Sequence, residues 1–349
     1  MKKYHVKKEY KHDYAGLDKK VYRKLHSIFY KICGSNEKAY PFYASYRHRK
    51  KVPGNPEREY KHYITEEPVY LAGFGHGLGG WRTALMSARV FGLEYAYTPM
   101  VSEEWEKTLD LGYGIDKAED LINRGYKKVR LPYYDMNKEE SCDLIREIID
   151  SYKGTDVVFY NEYQQWTAKG DDQKCDEMIR EMFWNTPKRK EDKLIYDDAY
   201  TNVAIHIRRG DVSQLLSQGD ESMRVRWLEL SYYKNIIETL LTSLHDRKIR
   251  FYIFSEGEEK AFSELKETSA DLVFCLDMSA PDSFLHLCRS DILLTAPSGF
   301  SMIAGAVNKG LKITPEGNFL VAPKKADWIF ADKTGHLTEG SVERIKDLG

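Results

Sequence analysis

The chain has 349 residues, enough for two domains of ordinary size, and its 53 basic and 54 acidic side chains leave a formal net charge of −1. That balance argues against bulk binding to nucleic acid and against an acidic tail. The five cysteines are odd in number and contain no CxxC, and the histidines form no HxH or HxxxH pair, so the cysteines read as reduced thiols and no zinc site is expected.

Residues 1 to 66 are polar, basic and rich in tyrosine, and read as an N-terminal extension packed on the first domain. Within it, residues 21–33 carry Leu25, Ile28, Phe29 and Ile32 at helical spacing, and Pro53-Gly54-Asn55-Pro56 marks a loop. The basic start is followed by no apolar run, so no secretory leader is expected. The longest uncharged run, residues 292–308, is broken by Pro297-Ser298-Gly299 and falls short of the roughly 20 apolar residues of a membrane span. The expected location is the cytoplasm, or peripherally the surface of a membrane.

A strand is predicted at 69–72, then a glycine-rich loop at 73–80 and a helix at 81–91. A strand follows at 94–98, with helices at 117–124 and 138–151. The second of these places Cys142, Ile145, Ile148 and Ile149 on one face. A short strand comes at 157–160. Residues 164–200 are charged and mostly helical, and hold the expected domain junction. The second half alternates again: strand 203–207, a long loop, helix 232–244; strand 251–254, helix 258–267; strand 272–276, helix 282–288; strand 292–295, helix 300–308; and strand 312–314. Strands alternating with helices in both halves predict an α/β chain of two domains facing one another, at 67–195 and 196–349.

Three places combine strand ends with ligand chemistry. Gly75-His76-Gly77-Leu78-Gly79-Gly80 satisfies GxGxxG after a strand and before a helix, the pattern of a dinucleotide fold. The acid that should end the next strand for a ribose is missing, since that end is Tyr97-Thr98-Pro99, which disfavours a nicotinamide or flavin oxidoreductase. The second place is Val203-Ala-Ile-His-Ile-Arg-Arg-Gly-Asp211. Adjacent arginines at the end of an apolar strand are costly to bury unpaired, and their planar forks suit phosphate oxygens. His206 and Arg208, two apart, project to the same side of an extended strand. The third is Thr295-Ala-Pro-Ser-Gly-Phe-Ser301, where a strand ends in a small-residue turn that starts a helix. Ser298, Gly299, Phe300 and Ser301 there form an anion site, or Ser298 or Ser301 serves as a plain N-cap. No Asp-x-Asp occurs anywhere in the chain. Neutralising a diphosphate would then fall to Arg208, Arg209 and the helix start, without metal or cofactor.

His206-Ile-Arg-Arg-Gly-Asp211 resembles the HxRRxD signature of the fucosyltransferase superfamily, which holds α1,2-, α1,6- and protein O-fucosyltransferases. Gly77-Leu-Gly-Gly-Trp81 resembles its first-domain glycine loop, with Gly80 where asparagine is usual. Leu230-Ser-Tyr-Tyr233, Phe254-Ser-Glu256 and the stretch from Asp282 to Ala306 resemble its later motifs. The resemblance covers about residues 69–310. It implies a GT-B-like fold, two Rossmann-type domains facing across a cleft, and inverting, metal-independent transfer of fucose from GDP-fucose to a glycan acceptor. By position, Arg208 and Arg209 would hold the pyrophosphate, His206 and Asp282 the nucleoside, and the turn at 298–301 the β-phosphate, with Gly77 and Gly79 also at the donor.

In the α1,6 enzymes a glutamate stands ten residues after the motif histidine, where this chain has Leu216. Asp211 is the first choice for general base, with Asp220, Glu221, Glu103 and Glu104 as alternatives; a dissociative path would need little base assistance. The other readings are a transferase of this fold using a different GDP-sugar and a catalytically inactive nucleotide-sugar-binding protein.

Overall fold

The structure is a computed structural model that describes residue 28 and residues 39–55, 57–66, 74–100, 102–161, 173–276, 278–317 and 327–347. The elements in chain order are α1 (Ala39–His48), β1 (His62–Glu66), α2 (Phe74–Phe91), β2 (Glu94–Tyr95), α3 (Glu103–Leu109), α4 (Ala118–Asn123), β3 (Lys127–Arg130), α5 (Glu139–Asp150), β4 (Val157–Asn161), α6 (Gln173–Asn185), β5 (Thr201–His206), α7 (Asp211–Ser217), α8 (Leu230–Ser243), β6 (Ile249–Phe254), β7 (Asp271–Cys275), α9 (Ala280–Arg289), β8 (Ile292–Leu294), α10 (Gly299–Val307), β9 (Leu311–Pro315), β10 (Trp328–Ala331) and α11 (Glu339–Lys346). Contacts divide the chain into two units: Met1–Glu67, Thr83–Thr98 and Asp116–Lys169 in one, and Pro68–Arg82, Pro99–Ile115 and Gly170–Gly349 in the other.

The first unit is built on a parallel sheet of order β2-β1-β4-β3. Its β4 is buried at every position, which a strand covered on both faces requires. The helix α5 buries Cys142, Ile145, Ile148 and Ile149, the face its spacing predicts. Beside β4, a buried polar network joins Ser87, Tyr134 and Asn161: the Tyr134 hydroxyl donates to Asn161 Oδ1 at 2.9 Å, and Asn161 Nδ2 to Ser87 Oγ at 3.1 Å. Each polar group taken from water there has a partner.

The second unit is built on a six-stranded parallel sheet of order β10-β9-β8-β5-β6-β7. Counting from β5, this is the order 3-2-1-4-5-6 of a doubly wound Rossmann-type sheet. Val203, Ile205, Phe251, Ile253, Ile292, Leu294 and Ile313 form its core with Tyr233, Ile236, Ile237 and Leu240 of α8. Each such side chain contributes about 1.5–3 kcal/mol over an exposed one. The α/β class and the two parallel-sheet halves are therefore as the sequence predicts.

Several elements differ from the predicted ones. The strand expected at 69–72 lies outside the described residues, and the first strand among the described residues is β1, within the stretch read as an extension. Its sequence, His-Tyr-Ile-Thr-Glu, has β-branched and aromatic residues but polar ends, which hid it. The glycine loop expected at 73–80 is helical from Phe74 onward, so Gly77 and Gly79 lie in the opening turns of α2. The edge strand β3, Lys-Lys-Val-Arg, fully buries only Val129, and charge on an edge strand discourages pairing with other chains. The long loop expected after β5 contains α7 and a 3-10 segment, Glu221–Arg226. The helix expected at 258–267 is a 3-10 run, Glu259–Glu267, kinked at Phe262. Among the described residues, no helix is long and apolar enough to cross a membrane.

Candidate functional site

In a sheet of this order, β5 lies between β6 and β8, and the crossovers leave the two central strands in opposite directions. All pairs are parallel, so the carboxyl ends of β5 and β8 share one rim. The crevice that such a reversal opens outside the carboxyl ends is where ligands bind in open α/β sheets. The two turns singled out in the sequence, after His206 and after Leu294, are the turns at this switch point.

The turn after β5 treats its two arginines differently. Arg208 is partly exposed, with one Nη donating to Asp211 Oδ2 at 2.7 Å, while its buried Nε has no partner among the described residues. Arg209 is committed to the protein. It donates to the carbonyls of Arg208 at 2.9 Å and Leu228 at 3.0 Å, and its guanidinium lies 3.8 Å from the Trp227 ring centroid. Arg209 thus braces the turn against the segment at 227–228, and Arg208 keeps donor capacity for a ligand. Gly210, with φ 52° and ψ −114°, bends the chain between them and α7 in a conformation that only glycine adopts readily.

The turn after β8 is locked by serines. Ser298 caps α10, its Oγ accepting from Phe300 N at 3.3 Å. The buried Ser301 Oγ accepts from Ala296 N at 3.1 Å and donates to Ala296 O at 3.3 Å. The serines act as structural caps, as the N-cap reading expects, and the helix N-terminus they fix lies at the switch point; a helix dipole there would favour an anion.

His206, 8% exposed, closes the end of β5 against Phe300, with ring centroids 5.2 Å apart. Its Nδ1 is buried without a partner among the described residues. Burial, with the charge of Arg208 as a smaller cause, pushes the imidazole down to about 3, so it is neutral near pH 7. Behind it stands an aromatic cluster that the sequence did not reveal. Phe74 and Trp105 stack at 3.6 Å, and both lie edge-on to Phe284 and Phe300 at 4.6–6.2 Å. All of these residues belong to the second unit.

The remaining candidates are more dispersed. The Asp211 carboxylate is held by Arg208 and by its own neighbour, Oδ1 accepting from Val212 N at 2.9 Å. Glu221 is exposed and pairs with Arg224 at 3.4 Å. Asp220 caps the 3-10 segment through Ser222. Glu103 pairs with Lys107 on the surface of α3, where Glu104 is also exposed. Asp282, in the first turn of α9, is exposed and accepts from Ser279 Oγ at 2.8 Å. Gly77 and Gly79 are helical, and a Cβ on Gly79 would meet nothing within 4 Å, so no close approach requires a glycine at 79.

No family model and no curated protein sequence matches the chain. Among solved structures it is similar to POFUT1 in complex with GDP-fucose, at 12% identity and a TM-score of 0.49 over 79% of this chain and 99% of that one. It is similar to the E. coli heptosyltransferase WaaC with ADP, at 13% identity and a TM-score of 0.45 over 82% of this chain and 100% of that one. It is similar also to a glycosyl transferase family 9 protein from Veillonella parvula, at 10% identity and a TM-score of 0.47 over 86% and 98% of the two chains.

Proposed function

We propose that the chain is an inverting glycosyltransferase that moves fucose from GDP-fucose to a hydroxyl of a glycan acceptor. The observation that carries this reading is the meeting of two anion-binding devices, the Arg208 turn and the capped N-terminus of α10, at the switch point of one Rossmann-type sheet. The acceptor oxygen forms its bond to the sugar carbon from the side opposite the leaving group, its proton passes to the Asp211 carboxylate, and the carbon–oxygen electron pair departs with GDP. Arg208 and the start of α10 stabilise the charge that grows on the diphosphate, which is where such a reaction needs the protein most. No Asp-x-Asp stands in the sequence to hold a divalent ion, so the positive charge comes from the protein. One observation favours a second reading, a nucleotide-sugar-binding protein without turnover: Asp211 and Glu221, both considered as bases, are each held by an arginine.

Turnover separates the two. With free oligosaccharides as acceptors, GDP release from GDP-fucose is expected in the presence of EDTA, at a rate that added manganese leaves unchanged. A strict requirement for manganese contradicts the metal-free reaction. GDP binding without any release supports the second reading.

A further inference from the structure

We propose that Glu256 holds the ribose of the bound nucleoside diphosphate, its carboxylate accepting hydrogen bonds from the 2′- and 3′-hydroxyls. The inference rests on the nucleoside-diphosphate reading above and extends it to the nucleoside half of the ligand.

The sheet register places this residue. His206 pairs with Phe254 across β5 and β6. The ladder runs one step further, with Ile207 N donating to Phe254 O at 3.0 Å, and Ser255 Oγ donating to Ile207 O at 2.7 Å. One residue beyond Ile207 and Ser255 stand Arg208 and Glu256, which leave neighbouring strand ends at the same level. The Glu256 carboxylate lies directly over the arginine turn: a Cβ built on Gly210 would fall 2.1 Å from Oε2 and 2.8 Å from Oε1. The missing side chain at Gly210 is what lets the carboxylate sit there.

Its chemistry is open where that of its neighbours is not. Asp211 is held by Arg208, Glu221 by Arg224 and Asp282 by Ser279. Glu256 is exposed, and among the described residues its carboxylate makes no ion pair or hydrogen bond. The strand order then supplies its role. In a 3-2-1-4-5-6 sheet the diphosphate lies at the turn after the first strand, and an acidic side chain at the end of the second reaches the ribose hydroxyls. Here β5 is the first strand and carries Arg208; β6 is the second and ends at Glu256. An ionised carboxylate is acceptor-only and has two oxygens for a vicinal diol.

The test is calorimetric titration of the full chain and of Glu256→Gln with GDP and with 2′,3′-dideoxy-GDP, in EDTA. The unsubstituted chain is expected to bind GDP about tenfold or more tightly than the dideoxy analogue, the scale of hydrogen bonds to a charged group. Glu256→Gln is expected to lose that preference and to bind both at the dideoxy level, and Glu256→Asp to recover part of it. A Glu256→Gln chain that keeps the full preference overturns the assignment, and if it also loses turnover, it marks Glu256 as acting on the reaction rather than on the ribose. An unsubstituted chain that binds neither nucleotide fails at the earlier step, the diphosphate site itself.

Discussion

Arg208→Ala is expected to abolish turnover and to weaken GDP binding by about 2–3 kcal/mol, the scale of losing a charge-assisted fork on a phosphate. The reasons are geometric. Arg208 leaves the central strand at the switch point, is held in place by Asp211 at 2.7 Å, and keeps a buried Nε with no partner among the described residues. Arg208→Lys is expected to fail as well, because an ammonium restores the charge but not the planar pair of donors. Arg209 provides the contrast. Its donors serve the carbonyls of Arg208 and Leu228 and its face lies on Trp227, so Arg209→Ala is expected to appear first as lost stability, on the order of 1–3 kcal/mol for a broken, partly buried set of bonds. Calorimetry with GDP and denaturant titration of both variants separate the roles. Equal loss of GDP affinity in both variants, with stability unchanged, contradicts the division of labour drawn here. An Arg208→Ala chain with ordinary turnover contradicts the site.

Stability is expected to fall steeply as the solution is made acid from pH 6.5, and His206 supplies a defined part of the fall. Burial, reinforced by the charge of Arg208, sets its imidazole at about 3 in the folded chain, against the ordinary value of 6.5. Between those values the unfolded chain binds a proton that the folded chain refuses. The contribution is therefore fully present above pH 6.5 and is lost as the pH falls towards 3, at about 1.4 kcal/mol per pH unit. His48, half-buried and pushed down to about 4 chiefly by desolvation, acts in the same direction, as do His62 and His286, each lowered chiefly by burial. Urea unfolding at pH 7.5 and pH 5 measures the slope. His206→Gln is expected to flatten it by one imidazole's share, and an unaltered slope shows that His206 is protonated in the fold.

The second half was legible in the sequence because its strands are short apolar runs with clear breaks. Every strand predicted from 203 to 314 is present within a residue or two, and the parallel order follows from helices crossing between them. The Arg208 and Ser298 turns stood out in the sequence because an arginine pair and a run of small residues each follow directly on an apolar strand; that Arg209 and the serines serve the protein itself depends on partners the local sequence does not name. What stayed hidden was hidden for physical reasons. The strand β1 begins and ends in polar residues, and β3 fully buries one side chain, so neither shows a clear period of two. The glycines at 77 and 79 read as a turn, yet backbone hydrogen bonding carries the helix through them at about 1 kcal/mol each relative to alanine. Phe74 and Trp105 join Phe284 and Phe300 across 179 to 226 residues, and the pressing of Glu256 on Gly210 spans 46; no local pattern encodes either contact.

The proposal that this switch point holds a guanosine diphosphate is settled by calorimetric titration of the purified chain with GDP, ADP, UDP and NADH in EDTA. Selective binding of GDP is the expected result, and it is expected to be lost on Arg208→Ala. Preference for UDP, ADP or NADH, or binding of none of the four, contradicts the assignment and removes the basis for a fucosyltransferase.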